Sequence, residues 1–344
     1  MENPFVQLEK DSSGFMHASV IAAMAELDVA TTLLILGNSA TSRQIAIQCR
    51  CDARGMEALM DALVALGYFS KSGSGPTAKY AVVQQYAPLL DSRETSSYVP
   101  MLRHRARLLR HWSCLSWAVK EGKPQKKNAT SFLGPEQDDV SFIRAMNAIA
   151  LRQTAKTMDA LGKAQLFDKL PPNANILDIG GASGTYTEAF LQRLPYATAT
   201  IFDLPKGIAE AKHRFENSDM EFRVHLLEGD FTKRDFPDGI DFAWISAIIH
   251  QFGLEEYRSL FRKTLNALKP GAIVAIRDFV MDPSRTSPVE GSLFGINMLV
   301  NTAQGRVYTF DEISSELSAS GFHNVRHAVN EPTMSAVITA TKPM

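Results

Sequence analysis

The run Ile176-Leu177-Asp178-Ile179-Gly180-Gly181-Ala182-Ser183-Gly184-Thr185-Tyr186 leaves this chain few folds to choose from. An apolar stretch ends in an acid, a glycine-rich turn follows, and Glu188 to Leu194 then carries helical periodicity. That order predicts a strand, a tight turn and a helix, the opening unit of an α/β domain. Small residues at alternate positions, Gly180, Ala182 and Gly184, are expected to let the backbone approach a ligand. The spacing is not G-x-G-x-x-G, since Thr185 stands three residues after Ala182, and no Lys follows as in a P-loop. A pyrophosphate is therefore a poor match for the turn.

The Asp178-x-Gly180-x-Ala182-x-Gly184 pattern resembles the first motif of class I S-adenosylmethionine-dependent methyltransferases. Ala197 to Phe202 then forms a second strand closed by Asp203-Leu204-Pro205, where a carboxylate suits both hydroxyls of a ribose. NAD sites use the same device, so the later segments decide. Leu227-Glu228-Gly229-Asp230-Phe231 resembles the third motif of the methyltransferases and Asp241-Phe242-Ala243-Trp244-Ile245 their fourth strand. From end to end the chain resembles the cation-independent small-molecule O-methyltransferases, in a bacterial-type form. The resemblance implies S-adenosyl-L-methionine as cofactor, no metal, and Asp178, Gly180, Gly181, Gly184, Asp203, Leu204, Asp230, Phe231 and Ser246 as its contacts.

At 344 residues, 45% of them hydrophobic, and with a formal net charge of −1, the sequence predicts a soluble, globular, two-domain chain. No basic excess points to nucleic acid, no apolar run approaches the roughly 20 residues of a membrane span, and the start lacks a signal pattern, so a cytoplasmic location is expected. The three cysteines, Cys49, Cys51 and Cys114, support neither a disulfide framework nor a zinc site.

Residues 1–100 read as a mainly α domain. Phe15 to Leu36 is expected as one helix ended by Gly37-Asn38. Ala40 to Ala46 and Ala53 to Leu66 form two short helices, and strands at Tyr68 to Lys71 and Lys79 to Val83 complete a winged helix-turn-helix pattern. DNA binding would place Ala53 to Leu66 in a groove, yet its charges are only Arg54, Glu57 and Asp61, with no basic face. In the family that this chain resembles the module is a dimerisation domain, which implies a homodimer. Residues 101–165 are expected as a helical linker. Arg103, Arg107 and Arg110 share one face of an amphipathic helix there, read as solvated. Lys126-Lys127-Asn128-Ala129 reads as a polar loop, and Phe142 to Leu161 as a long helix. Residues 166–344 carry the cofactor domain, with strands at Ile176, Thr198, Arg223, Asp241, Ala272 to Arg277 and Ser335 to Ala340, and a turn at Lys269-Pro270-Gly271. Helices between them predict a doubly wound, Rossmann-like, mostly parallel sheet with the ligand at the carboxyl ends of its strands.

Methyl transfer to a hydroxyl needs a base near neutrality, and histidine fits unaided. Of eight histidines, His250 in Ile248-Ile249-His250-Gln251-Phe252-Gly253-Leu254-Glu255-Glu256 follows the fourth strand. It resembles the histidine of the family's His-Asp/Asn-Trp-Ser-Asp-Glu segment, which deprotonates the acceptor. Two acids flank that histidine in many members, but an ungapped count places Arg277 and Val307 at their positions, with Asp278 one residue from the first. If the count is one out, Asp278 orients His250. Phe294, Met298, Asn301 and Thr302, with Met146, are the expected acceptor contacts, an apolar pocket for a flat ring. The reading is a methyltransferase acting on a hydroxyl of a small aromatic or polyketide-like molecule. Carbon methylation, another reaction of the same cofactor, and a DNA-binding ligand sensor are the alternatives.

Overall fold

The computed structural model describes residues 3–125 and 132–344, so the loop expected at Lys126 to Ala129 lies outside the described residues. These residues form two compact units, one of residues 3–113 and 132–148, the other of residues 114–125 and 149–344.

The first unit opens with α1 (Pro4–Glu26) and α2 (Val29–Ile35). The single helix expected over Phe15 to Leu36 is broken. Asp28 sits in the left-handed region at φ 52°, and its carboxylate accepts from the hydroxyls of Thr31 (2.7 Å) and Ser92 (3.0 Å). A side chain that satisfies a turn in this way ends a helix without Gly or Pro. Then come β1 (Ala40–Thr41), α3 (Ser42–Cys49), α4 (Ala53–Ala65), β2 (Phe69–Ser72), β3 (Lys79–Val82), α5 (Ala87–Leu90) and α6 (Val99–Trp112). The strands form an antiparallel sheet ordered β1-β3-β2, over a core that includes Met24, Leu33, Ile45, Met60, Leu63 and Tyr80. This is the winged arrangement read from the sequence.

The arginine face of α6 is not solvated as expected. Arg103 donates to the Ala25 carbonyl (2.9 Å) and pairs with Asp28, Arg110 grips Glu26 through two hydrogen bonds of 2.7 and 2.8 Å, and Arg107 faces Asp138. Those contacts fix α6 against the end of α1. No single helix among the described residues is long and apolar enough to cross a membrane; α1 and α2 pass on length and hydropathy only together, across a 49° bend.

The second unit takes α7 (Leu115–Glu121) and the later part of α8 (Pro135–Lys163), a helix longer than the one expected over Phe142 to Leu161. Its chain then runs β4 (Asn175–Ile179), α9 (Thr185–Arg193), β5 (Thr198–Asp203), α10 (Pro205–Phe215), β6 (Val224–Glu228), β7 (Ile240–Ser246), α11 (Leu254–Ala267), β8 (Leu268–Asp278), β9 (Val280–Met281), α12 (Val289–Asn301), β10 (Tyr308–Thr309), α13 (Phe310–Ala319), β11 (His323–Val329) and β12 (Ala336–Thr341). Seven strands form one sheet ordered β11-β12-β8-β7-β4-β5-β6, parallel from β8 to β6, with β12 antiparallel between β8 and β11.

Three strand expectations are corrected. Arg223 belongs to a 3₁₀ turn and the strand starts at Val224; β11 is an additional edge strand; and Lys269-Pro270-Gly271 lies within β8 rather than ahead of it. Gly271, at φ 75°, accompanies a slip in pairing, in which Leu268 faces Ile240 and the next partners are Ile273 and Phe242.

Alternation along the central strands separates two cores. Leu177, Ile179, Ala243, Ile245, Val274 and Ile276 pack with α11 and α13, while Ile176, Phe242, Trp244 and Ala275 pack with α8 and α9. The end of β8 inherits that parity, so Arg277 belongs to the face of α8 and α9, and Asp278 to the other.

Candidate active site

β4 is flanked by β5 on one side and β7 on the other, so the crossover direction reverses at its carboxyl end and opens a crevice there. The glycine turn occupies that point, with Gly180 at φ 71°, Ala182 at φ 46° and Gly184 at φ 76°. A Cβ on Gly180 would stand 2.3 Å from Cδ1 of Ile248, and one on Gly184 2.5 Å from the Phe215 ring. Glycine at these places is therefore demanded by the protein's own packing, and the Gly180 contact presses the turn against the loop that carries His250.

Two carboxylates face each other behind the turn. Asp178 is buried and accepts from the Thr187 hydroxyl at 2.6 Å; burial, reinforced by Asp203, pushes its pKa up to about 7 despite that bond. Asp203 accepts from the backbone N–H groups of Ala182 (2.7 Å) and Leu204 (2.6 Å), and burial raises its pKa as well. Gly207 clears its space, since a Cβ there would lie 2.7 Å from the Asp203 carboxyl carbon. Each Asp203 oxygen has taken one N–H and keeps a lone pair for another donor. Leu204 beside it is exposed. Asp230 accepts from the Thr232 hydroxyl (2.6 Å), whose bond pulls its pKa below the usual range, and pairs with Lys233; Phe231 packs edge-on against Phe252 at 4.8 Å.

His250 lies in a 3₁₀ turn after β7, 5% exposed, and its Nδ1 is 2.8 and 2.9 Å from the two oxygens of Asp278. Asp278 Oδ1 also accepts from the Phe279 N–H at 2.8 Å. The ungapped count that set Arg277 opposite the histidine is therefore one residue out, and Asp278 holds that place. A carboxylate only accepts, so the ring proton sits on Nδ1, and Nε2 is left as the basic nitrogen. Val307, which the same count set at the second flanking position, is buried and apolar. The Phe294 ring meets His250 edge-on at 4.7 Å and Phe279 at 5.1 Å.

Other expected contacts fall on the same run of chain. Met298 is buried on α12, and Asn301 Nδ2 donates to the Asn297 carbonyl at 2.7 Å. Thr302 spends its hydroxyl on the end of α12, donating to Met298 O and accepting from the Gly305 N–H, both at 2.8 Å. Met146 lies on α8 within the first unit. Ser246 accepts from Arg277 Nη1 at 3.2 Å. Gly305 was not singled out from the sequence, yet a Cβ on it would lie 2.6 Å from the His250 carbonyl oxygen. Arg277 is the one charged residue in the otherwise apolar run from Ala272 to Arg277. Among the described residues, no group of three or more His, Cys, Asp or Glu could hold a metal ion.

Comparison with known proteins gives two family models, an O-methyltransferase domain over residues 112–323 and an O-methyltransferase dimerisation domain over residues 11–84. Acetylserotonin O-methyltransferase of Gallus gallus is 30% identical over 325 residues, 92% of this chain and 91% of that protein. The tetracenomycin polyketide synthesis 8-O-methyl transferase of Streptomyces glaucescens is 27% identical over 329 residues, 94% of this chain and 93% of its own length. Among solved structures, human N-acetylserotonin methyltransferase in complex with SAM superposes with a TM-score of 0.83 at 23% identity, covering 100% of this chain and 99% of that one.

Proposed function

This chain belongs to the O-methyltransferase family, whose methyl donor is S-adenosylmethionine, and from that premise we propose that it methylates a hydroxyl of a small aromatic or polyketide-like molecule with His250 as general base. The observation that carries the reading is the His250–Asp278 pair at the carboxyl ends of β7 and β8.

The residues present fit the donor. Asp203, with a free lone pair on each oxygen, is suited to the two hydroxyls of a ribose. Leu204, Phe231 and Asp230 supply the apolar and acidic neighbours that an adenine takes, and Asp178 and the turn from Gly180 through Gly181 to Gly184 back the site. The donor supplies an electrophilic methyl group on a sulfonium.

What the chain adds is a proton acceptor and a fixed geometry. His250 Nε2 takes the proton of the acceptor hydroxyl as its oxygen becomes nucleophilic, and the imidazolium that forms is held by Asp278. Phe294, Phe279 and Met298 offer an apolar wall for a flat ring, with Asn301 and Thr302 as further acceptor contacts. Holding donor and acceptor in line supplies the rest of the acceleration. The relative of Streptomyces glaucescens, by its name an O-methyl transferase of polyketide synthesis, supports an acceptor of this class. The matched dimerisation domain supports a homodimer.

Product structure tests the reading. Incubation with isotopically labelled donor and a panel of naphthols, hydroxyquinones and hydroxyindoles is expected to give methoxy products by NMR. Methyl groups on ring carbon instead would replace the hydroxyl reading with carbon methylation.

A further inference from the structure

The most unusual charge in the second unit is Arg277, 3% exposed at the end of β8. Its Nη1 donates to the Ser246 hydroxyl at 3.2 Å, its Nη2 to the Gln153 side-chain oxygen, and its guanidinium lies over the Tyr186 ring at 5.3 Å. Every one of those partners is neutral. Among the described residues no carboxylate forms an ion pair with Arg277, and the adjacent Asp278 is committed to His250 on the opposite face of the strand.

Burial of a cation without an anion is unfavourable, and the guanidinium pKa is correspondingly pulled down, by burial first. The surrounding donors are unsatisfied as well. Arg277 Nε, the Tyr186 hydroxyl and Trp244 Nε1 are all buried without a hydrogen-bond partner, and the Tyr186 and Trp244 rings lie 5.3 Å apart. One cation and a cluster of orphaned donors call for an anion with several lone pairs, the description of a carboxylate.

The place fits the same group. Tyr186 stands in the first turn of α9, directly after the glycine turn, where the helix's positive end favours an anion. Ser246 ends β7, two residues before Ile248, against which Gly180 packs.

We propose that Arg277 is the seat of the carboxylate at the amino-acid end of the methyl donor, with Tyr186 as a second donor to it. The inference rests on the donor assigned above. It accounts for the unmatched residue at the end of β8, because an arginine supplied from this strand holds the donor's carboxylate.

Calorimetry with S-adenosylhomocysteine, its decarboxylated analogue, and methylthioadenosine, which lacks the amino-acid end, tests this without turnover. Wild type is expected to bind S-adenosylhomocysteine on the order of 10²-fold more tightly than the decarboxylated analogue, the size of a desolvated charge-assisted contact. Arg277→Met is expected to reduce that gap to about threefold or less by weakening only the carboxylate-bearing ligand, and Arg277→Lys to recover part of it. Methylthioadenosine should bind wild type and both variants alike, which also reports that they are folded. A wild-type gap under about threefold, or an Arg277→Met variant that loses methylthioadenosine as much as S-adenosylhomocysteine, overturns the proposal. Failure of wild type to bind S-adenosylhomocysteine at all overturns the donor assignment beneath it.

Discussion

Replacing Asp278 by Asn changes one oxygen to an amide nitrogen, and the structure dictates which one. The Phe279 N–H points at Oδ1 from 2.8 Å, so the retained oxygen stays there, where it also accepts from His250 Nδ1 at 2.8 Å. The new amide group takes the other position, 2.9 Å from the same ring nitrogen. The retained oxygen can still accept from Nδ1, but the amide NH2 beside it cannot, and the ring loses the charge that stabilises the imidazolium. Exchanging a charge-assisted hydrogen bond for a neutral one is worth about 1–2 kcal/mol, or roughly 5- to 30-fold in kcat. Asp278→Ala goes further, leaving the Nδ1–H buried without an acceptor and the ring free to turn, so on the order of 10²- to 10³-fold is expected. Initial rates with labelled donor at saturating acceptor measure both, with donor affinity by calorimetry as the control. Acceptors with more acidic hydroxyls should show the smaller losses. An Asp278→Ala enzyme within about twofold of wild type, with donor binding intact, would refute the orienting role.

Two further substitutions probe the His250 turn and the first unit. Gly305→Ala sets a methyl group 2.6 Å from the His250 carbonyl and 2.4 Å from the Thr302 hydroxyl; relief takes a shift of the order of 1 Å in the His250 turn, expected to lower kcat about 10²-fold with donor affinity unchanged, as rates and calorimetry together will show. His104, packed against Phe142 at 5.1 Å with its Nδ1 unpartnered, has its pKa lowered by burial, and by Arg107 and Arg105, from 6.5 to about 4. The unfolded chain therefore binds the extra proton between those values, so stability is full above pH 6.5 and falls as the pH drops towards 4, by about 2 kcal/mol at pH 5. Thermal unfolding of His104→Gln should lack that share of the slope, and an unchanged slope would count against it.

The central sheet was legible because parallel strands buried on both faces read as apolar runs, and the acids Asp178 and Asp203 stood at the ends of such runs. The winged arrangement was equally plain from short helices and a glycine-rich turn. What escaped the sequence depended on partners far along the chain. Asp28 breaks α1 from α2 through Ser92 and Arg103, and the arginines of α6 find Glu26 and the Ala25 carbonyl, so neither event leaves a local mark. Counting residues to the flanking acid failed by one at β8. A strand slip turns a side chain to the other face, so that error put Arg277 where Asp278 meets His250 and left Asp278 as the alternative. The glycines of the turn were read as room for a ligand, whereas Ile248 and Phe215 occupy the space that a Cβ would need. Gly305 acts on the His250 carbonyl across a distance that no motif records.

The central claim is that His250 is the base. Methyl transfer from labelled S-adenosylmethionine to a panel of phenols and hydroxyquinones, with EDTA present, compares wild type with His250→Ala most directly. A base at this position predicts a loss of turnover of on the order of 10²-fold or more with donor affinity unchanged. Equal turnover by the two proteins would contradict it, leaving positioning alone, or an acceptor that needs no base, to explain the reaction.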